Sequence, residues 1–385
     1  MKKKVAFPFR HHATLVCPEA KQMLLDAGFE LVCNDTGEKL SFEEQHAMIA
    51  DAFAVIAGTE RYDAAMLEGC SELKVIIRFG VGTDNFDLET MKKKGIQVGI
   101  ISNYNAVAEF ALTLILATMK NLPLYDAEVR SGGWARYSMR ELSYKTVGLM
   151  GFGRIGKRLA ELLKGFDVKV LAYDPYLPPE VMVERGAEPV SFDELLARSD
   201  VVSLHLPATE ATRHIINAET IAKMKDGVRI LNFARGELVA SKDIVDALAS
   251  GKAGAYITDF PTDEQLGAEG VTALPHLGAS TPESEENCAM MAADEVSAYL
   301  LKGEIKNSVN LPNTCLAESF AVRTCFIHKE NADEFAAKAE AAAKAAGANV
   351  TAIFTANKKD MGYTVIDTDK AFDANVEGAI RVRVI

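Results

Sequence analysis

Short apolar runs alternate with amphipathic stretches through the first hundred residues of the chain. The apolar runs occupy residues 5–7, 29–32, 53–57, 74–77 and 98–101. Residues 18–27, between the first two runs, place their apolar side chains on one face, which predicts a helix. Repeated strand and helix units of this kind predict a parallel sheet with helices on both faces.

A second series of the same kind starts at residue 146. Strands are predicted at residues 146–150, 168–173, 201–204, 228–232 and 255–258, and helices at 154–163, 192–197, 218–224 and 241–249. The alternation predicts a second doubly wound unit.

The pattern changes after residue 309. A helix rich in alanine, lysine and glutamate is predicted at residues 329–346, with Gly347 as its C-cap. Strands are predicted at residues 323–327, 350–355, 362–367 and 379–385, with a short helix before the last strand. That β-α-β-β-α-β order is ferredoxin-like. The predicted fold is therefore α/β, with two doubly wound parallel-sheet, Rossmann-like domains and a C-terminal ferredoxin-like α+β domain.

Composition and charge narrow the function classes. The chain has 385 residues, and its 42 Lys and Arg against 54 Asp and Glu give a net charge of −12, which argues against general nucleic-acid binding. The longest apolar stretch, residues 110–119, is too short to cross a bilayer, and we expect no signal peptide and no membrane partner. Six cysteines lack CxxC and CxxH spacing, which predicts reduced thiols in a cytoplasmic protein without a bound metal.

A glycine-rich turn joins a predicted strand to a predicted helix. Residues 151–156 read Gly-Phe-Gly-Arg-Ile-Gly, a pattern in which the glycines permit a tight turn, close approach to a pyrophosphate, and close helix packing. Asp174 ends the next strand, where a carboxylate accepts hydrogen bonds from an adenosine ribose. No arginine or lysine follows Asp174 directly, which favours NAD over NADP as cofactor. The alternative is a purely structural turn with a solvent-facing aspartate.

Polar residues follow several predicted strands, at the edge where open α/β sheets bind ligands. Arg235 follows residues 228–232, Asp259 follows residues 255–258, and His276 follows a short apolar run. A guanidinium can hold a carboxylate through two parallel hydrogen bonds, and an imidazole oriented by an acid can exchange a hydroxyl proton. The set suits hydride transfer at a 2-hydroxy acid. Taken singly, Arg235 could equally form a surface salt bridge, and His276 could be an ordinary loop histidine.

The chain resembles the D-isomer-specific 2-hydroxyacid dehydrogenases, and within that family the enzymes that act on 3-phosphoglycerate. The similar segments are residues 78–85, 103–109, 130–134, 151–156, 205–207, 232–236, 275–281 and 307–310. The resemblance implies that Arg235 binds the substrate carboxylate and that His276 is the acid/base. It implies that backbone N–H groups of the loop Phe79-Gly80-Val81 bind the same carboxylate. Implied NAD contacts are Gly151, Gly153, Arg154, Ile155, Gly156, Asp174, Pro207, Phe233, Ala234, Asp259, Gly278 and Ala279.

Two acids compete as the partner of His276. Family members usually carry Asp-Val-Phe followed closely by Glu-Pro, whereas this chain reads Thr-Asp-Phe-Pro-Thr-Asp-Glu from Thr258. Alignment on the Phe-Pro pair places Thr258 and Asp263 at the two acidic positions, whereas the spacing of the acids places Asp259 and Glu264 there. Because the second alignment makes both positions acidic, we expect Glu264 to pair with His276, with Asp263 as the alternative.

The resemblance also implies a role for each domain. Residues 1–100 and 283–312 would form the substrate-binding domain, residues 101–282 the NAD-binding Rossmann domain, and residues 318–385 an ACT-like regulatory or assembly domain. The active site would lie in the cleft between the two large domains of a homodimer or homotetramer. L-serine is the implied effector, but Asn331-Ala332-Asp333 replaces the usual Asn-x-Pro-Gly turn, so an assembly domain without a ligand is equally open.

The implied reaction is the NAD-dependent oxidation of 3-phospho-D-glycerate to 3-phosphooxypyruvate in L-serine biosynthesis. Arg78 and Arg136 resemble residues that bind the substrate phosphate, Arg136 across the dimer. Further cations near predicted strand ends are Arg10, His11, His12 and Arg61. All of these could instead merely solvate an acidic surface. The alternative functions are reduction of another 2-oxo acid, such as hydroxypyruvate or glyoxylate, and a non-catalytic NAD-sensing role.

Overall fold

The computed structural model describes residues 2–9, 17–101, 103–136 and 138–385. The chain forms two compact units, of which the first is Met1–Asn103 with Pro282–Ile385 and the second is Tyr104–Thr281. The predicted basic cluster Arg10, His11 and His12 lies outside the described residues. The further division of the first unit into a substrate-binding domain and a C-terminal domain stays a prediction.

A parallel sheet forms the centre of the first unit. Its strands are β1 (Lys4–Phe7), β2 (Glu30–Cys33), β3 (Ala54–Ala57), β4 (Val75–Phe79) and β5 (Gln97–Ile101), in the order β2-β1-β3-β4-β5. Helices α1 (Pro18–Asp26), α2 (Phe42–Ile49) and α3 (Leu88–Lys93) connect them. The central strands are almost continuously apolar because helices cover a parallel sheet on both faces. The strands predicted in this region are confirmed.

A seven-stranded parallel sheet forms the centre of the second unit. Its strands are β6 (Thr146–Met150), β7 (Lys169–Tyr173), β8 (Glu188–Pro189), β9 (Val201–Leu204), β10 (Val228–Asn232), β11 (Ala253–Thr258) and β12 (Val271–Ala273). Its helices are α4 (Tyr104–Met119), α5 (Leu122–Arg130), α6 (Arg154–Leu163), α7 (Pro179–Glu184), α8 (Phe192–Arg198), α9 (Ala218–Ala222) and α10 (Ser241–Ala249).

The strand order of this second sheet locates its ligand edge. The order is β12-β11-β10-β9-β6-β7-β8, so the chain runs outward from β6 in one direction and then resumes at β9 on its other side. Such a reversal opens a crevice beyond the carboxyl ends of the strands. Both sheets are therefore of the predicted doubly wound, Rossmann-like kind.

The last hundred residues return to the first unit. Helix α11 (Pro282–Lys302) packs against β4 and β5, and the strands β13 (Val322–His328), β14 (Val350–Lys358), β15 (Met361–Thr368) and β16 (Ala379–Val384) follow with helix α12 (Ala332–Ala345). These four strands, the C-terminal sheet, are antiparallel in the order β14-β15-β13-β16. One face of the C-terminal sheet packs on α12, and the other shares a core with α11 and β4.

The predicted short helix before the last strand is wrong. The segment between β15 and β16 contains no helix, and Phe372, Ala374 and Val376 all pack on the core beneath α12. Their spacing of two residues suits an extended segment, and the Asp, Asn and Gly residues around them favour turns. The apolar period of two residues therefore agrees with an extended segment and not with a helix.

The length and apolar character of the helices bear on whether any of them could cross a membrane. Among the described residues, no single helix is long and apolar enough to cross a membrane, although α4 and α5 meet the criteria together as a pair bent by 63°.

Candidate active site

The glycine turn follows β6 at the carboxyl edge of the second sheet. Gly151 has a φ of +93°, and a Cβ atom there would lie 2.6 Å from the carbonyl oxygen of His205. A Cβ at Gly156 would lie 2.5 Å from the Gly151 carbonyl oxygen, so helix α6 can approach the turn only without a side chain. A Cβ at Gly153 would meet nothing within 4 Å. The turn is thus tightly packed on one side and open on the other.

The open side of the turn faces the start of helix α6. Gly153 is the N-cap and supplies no side-chain cap, so the first N–H groups of the helix remain available to an anion. Asp174 lies beside them, since its carboxylate accepts hydrogen bonds from the backbone N–H groups of Phe152 at 2.9 Å and Tyr176 at 3.0 Å. These residues fit the pyrophosphate and ribose of NAD.

The next loop along this edge carries a partly buried histidine. His205 follows β9, and its Nε2 lies 3.0 Å from the hydroxyl of Ser203, which is fully buried. Burial lowers the pKa of His205 to about 4, so the ring is neutral at ordinary pH. Pro207, two residues on, is exposed, and its carbonyl accepts a hydrogen bond from Thr212. The His205 ring therefore stays neutral near pH 7, and this loop contributes a packing surface to the edge of the sheet.

Four further predicted cofactor residues lie in the loops after β10 and β12, and two of them, Phe233 and Gly278, contact Phe110. The ring of Phe233 meets that of Phe110 edge to face at 5.2 Å, and a Cβ at Gly278 would lie 3.2 Å from Phe110. Ala234 is held by a hydrogen bond from its N–H to the side chain of Asn232. Ala279, beside Gly278, is exposed at the same edge of the sheet. The loops after β10 and β12 are therefore brought together, as predicted.

His276 forms a close pair with an acid. Its Nδ1 lies 2.7 Å from Oδ2 of Asp259, whose side chain is only 1% exposed, whereas the side chain of His276 is 58% exposed. A buried carboxylate at Nδ1 favours the tautomer that carries its proton there, which leaves Nε2 facing outward as the acceptor. The pair is arranged as an orienting acid and an exposed proton acceptor.

The prediction that Glu264 pairs with His276 is wrong, and so is the alternative Asp263. Both residues are exposed, in a turn that folds around the buried Gln265, whose side chain contacts the Thr262 backbone and Ser241. Asp259 was predicted at this edge together with Arg235 and His276, and the resemblance implied that it contacts the cofactor. It directly follows β11, and β11 pairs with the strand that precedes His276. Adjacent strand ends place the two side chains together, whereas the spacing of acids along the chain carried no such information.

Arg235 follows β10 at the same edge. Its carbonyl accepts a hydrogen bond from the fully buried side chain of Asn232, and its guanidinium donates to the Ala234 carbonyl at 2.7 Å. The guanidinium carbon lies 5.8 Å from the centre of the Phe260 ring, and the His276 ring centre lies 4.3 Å from that same ring. Arg235 and His276 therefore flank one phenylalanine.

Sequence reasoning missed the roles of Asn232 and Phe260. Both were named only as members of strand-end segments and given no role of their own, although Asn232 lies close to Arg235 in the chain and Phe260 directly follows Asp259. Asn232 fixes the backbone of Arg235, and the Phe260 ring lies close to both the guanidinium and the imidazole. Their position next to polar residues at the sheet edge was the available signal.

The predicted carboxylate loop belongs to the first unit and follows β4. Arg78 curls around it, donating to the carbonyls of Phe79 and, at 3.0 Å, Gly82. Gly80 has a φ of +137°, and a Cβ there would lie 3.1 Å from the Arg78 guanidinium. Val81 at the tip is 47% exposed. Arg78 thus shapes the loop, whereas Arg136, in the second unit, is exposed on a segment after α5.

Comparison with known proteins gives the site its context. Residues 112–280 match the family model described as D-isomer specific 2-hydroxyacid dehydrogenase, NAD binding domain, which confirms the predicted cofactor. A D-3-phosphoglycerate dehydrogenase of Mycobacterium tuberculosis is 38% identical over 282 residues, covering 71% of this chain and 53% of that protein. The chain thus spans about half the length of several curated relatives it matches.

Other relatives are matched over most of their length. A hydroxypyruvate reductase of Thermotoga maritima is 37% identical over 275 residues, covering 68% of this chain and 89% of that protein. The NAD⁺-bound crystal structure of 3-phosphoglycerate dehydrogenase from Entamoeba histolytica aligns with a TM-score of 0.68 and 27% identity, covering 80% of this chain and 99% of that one. The glycine turn, the strand-end residues and these matches agree: the chain belongs to the family of D-isomer-specific 2-hydroxyacid dehydrogenases.

Proposed function

We propose that the chain is an NAD-dependent dehydrogenase that oxidises 3-phospho-D-glycerate to 3-phosphooxypyruvate, the first step of L-serine biosynthesis. The observation that carries the proposal is the arrangement of Arg235 and the Asp259–His276 pair around Phe260 at the edge that also bears the glycine turn. The relatives named D-3-phosphoglycerate dehydrogenase support the choice of substrate.

The proposed chemistry divides among three side chains. The guanidinium of Arg235 holds the substrate carboxylate and so fixes the adjacent carbon that carries the hydroxyl. His276 accepts the hydroxyl proton at Nε2, and the buried Asp259 carboxylate stabilises the resulting imidazolium. NAD, when bound, supplies the acceptor for the hydride that leaves the same carbon. Proton and hydride together account for the two-electron oxidation of alcohol to ketone.

The predicted phosphate-side residues complete this proposal. Arg78 and the loop Phe79-Gly80-Val81 would bind the acid from the first unit, and Arg136 would reach the site of a second subunit. Arg78 donates to two loop carbonyls, so the charge it offers a phosphate comes with a fixed orientation. We expect Arg78→Ala to lower kcat/KM more for phosphorylated substrates than for unphosphorylated ones, because the latter lose only the support that Arg78 gives the loop.

Reduction of hydroxypyruvate is a second candidate, favoured by Glu60. This residue follows β3, next to β4, and its Oε2 atom is buried and has no hydrogen-bond partner among the described residues. Tyr62 lies close enough to both Glu60 and Arg78 for their charges to act oppositely on its pKa. A carboxylate near Arg78 offsets its charge and disfavours a phosphate dianion, and it can accept a bond from a neutral hydroxyl. The Thermotoga maritima relative is named for that reaction.

A spectrophotometric NADH assay decides between the two candidates. Wild-type protein would be assayed with 3-phospho-D-glycerate, 3-phosphooxypyruvate, hydroxypyruvate, glyoxylate and pyruvate. Higher kcat/KM on the phosphorylated pair supports the first candidate, and higher kcat/KM on hydroxypyruvate supports the second. Arg235→Ala should abolish turnover with every acid, and turnover equal to wild type would refute the proposed site.

The C-terminal sheet is proposed to be an ACT-like domain that binds L-serine. Its strand order is that of a ferredoxin-like sheet, and Asn331 caps helix α12 by accepting bonds from the N–H groups of Asp333 and Glu334. L-serine at millimolar concentration should change the activity or the melting temperature. No change in either would leave the sheet with an assembly role alone.

A homodimer is proposed from the exposed apolar side chains of the second unit. Those on and after helix α5 are Leu122, Leu124, Val129, Trp134, Met139 and Tyr144, between 46% and 87% exposed. Contiguous exposed apolar surface of this kind marks interaction sites. Light scattering should give the mass of two or four chains.

The six cysteines are all free thiols, in keeping with the proposed cytoplasmic location.

A further inference from the structure

The carboxyl end of helix α11 is capped by side chains from the C-terminal sheet. Arg323 Nη1 donates to the Lys302 carbonyl at 2.7 Å, the Tyr363 hydroxyl donates to the Gly303 carbonyl at 2.9 Å, and Arg383 Nη1 donates to the Tyr299 carbonyl at 3.1 Å. The last carbonyls of a helix have no donors within the helix. Three different strands, β13, β15 and β16, supply donors here, and the Tyr299 carbonyl also accepts from the N–H of Gly303 at 3.0 Å.

The charges of these donors suit the end of a helix. Cations stabilise the negative end of the helix dipole, and two of the three donors are arginines. Arg383 also lies over the Tyr299 ring, with its guanidinium carbon 3.8 Å from the ring centre. Arg323 is held in turn by Asp367 through two bonds of 2.7 Å, with both side chains at most 5% exposed. The cap is therefore rigid and nearly dry.

Helix α11 in turn lies against β4. Side chains of α11, including Ala292 and Val296, share one core with Val75 and Ile77 of β4 and with Tyr363 of the C-terminal sheet. A shift of the helix therefore changes the packing of β4, because a close-packed core transmits displacement. β4 runs directly into the loop Phe79-Gly80-Val81.

The C-terminal sheet also contacts the residues just before β4. Arg381, two residues before Arg383, donates to the carbonyls of Leu73 and Ser71, which precede β4. Lys92 of helix α3 pairs with Asp360, in the turn between β14 and β15, at 2.9 Å. The C-terminal segment thus contacts both the residues just before β4 and helix α3, which lies against β5.

We propose that Tyr363 and Arg383 are positioning residues for the loop Phe79-Gly80-Val81. They fix the end of α11, α11 fixes β4, and β4 presents the loop. The catalytic part of this inference rests on the proposed function, in which that loop binds the substrate carboxylate. It assigns the C-terminal sheet a constant role in acid binding, separate from any effector it takes.

Two substitutions and a matched control test the inference. Tyr363→Phe removes one hydroxyl, and Arg383→Met removes the guanidinium while keeping most of the stem. Thr351→Val, on the edge strand β14, removes a hydrogen bond of the same sheet, from the Thr351 hydroxyl to the carbonyl of Asp367 on β15, without touching α11. We expect the KM for the 2-hydroxy acid to rise about three- to tenfold in the first two variants, the change that loss of one hydrogen bond produces.

The remaining readouts separate positioning from general damage. The kcat and the Kd for NADH should stay near wild type, Arg383→Lys should restore part of the KM, and Thr351→Val should change nothing. Hydrogen exchange should accelerate at residues 296–303 and at residues 75–82 in Tyr363→Phe and Arg383→Met, and should not change in Thr351→Val. Faster exchange in α11 with unchanged exchange at residues 75–82 would overturn the inference. This readout does not depend on activity, so it also applies if the protein turns over none of the acids of the NADH assay. An unchanged KM in an active enzyme would overturn it as well.

Discussion

The carboxyl edge of the second sheet has two halves that satisfy their polar groups differently. On the β6 and β9 side, the glycine turn packs against the His205 carbonyl, and the His205 ring is buried against Ser203. On the β10 to β12 side, His276 is more than half exposed while its partner Asp259 is buried. The β6 and β9 half is closely packed, whereas the β10 to β12 half presents a side chain that can exchange protons with solvent or substrate. The difference teaches that exposure separates the histidine with a structural role, His205, from the one proposed to exchange protons, His276.

The largest expected effect comes from breaking the open half. Asp259→Asn should lower kcat by about 10³-fold or more, because the amide no longer stabilises the imidazolium form of His276. Single-turnover oxidation measures the change, and circular dichroism checks that the fold is kept. Wild-type kcat in this variant would mean that the buried acid does not assist the histidine.

The closed half should show itself in the pH dependence of stability. The pKa of His205 is lowered to about 4 in the folded state, so the unfolded chain binds this proton more tightly between pH 4 and 6.5. The contribution of His205 is therefore complete above pH 6.5 and is lost as the pH falls toward 4, by roughly 3 kcal/mol. Urea unfolding of wild type and His205→Gln at pH 7 and pH 4.5 measures it. An equal loss in both proteins would contradict a buried neutral ring.

A smaller effect is expected at the open side of the glycine turn. Gly153→Ala adds a methyl group where nothing lies within 4 Å, so the melting temperature should hold while affinity for NADH falls about tenfold. Gly165→Ala, also in open space in the same unit, is the matched control. Wild-type affinity in Gly153→Ala would show that the dinucleotide does not approach the turn.

The smallest effect is expected from Glu264→Gln. Because Glu264 is exposed and does not contact His276, kcat/KM should stay within about twofold of wild type, the range of ordinary surface substitutions. Steady-state kinetics beside Asp259→Asn measures this. A loss comparable to that of Asp259→Asn would restore the sequence-based assignment of the acid.

Much of this edge could be predicted because it depends on local sequence. The glycine turn, Arg235 and His276 each follow an apolar run, and parallel strands bring their carboxyl ends together. The partner of His276 could not be derived that way, since it depends on which strand lies beside β12 and on a turn folded around Gln265. The apolar runs likewise predicted the strands of the C-terminal sheet. The segment around Phe372 was predicted to be a helix, whereas it is extended.

The dual burial of β15 has a practical consequence. All eight of its residues are buried, because α12 covers one face and the body of the first unit covers the other. Deleting the C-terminal sheet would therefore not release a smaller working enzyme. It would expose apolar side chains of α11 to water. We therefore expect such a shortened chain to aggregate during expression.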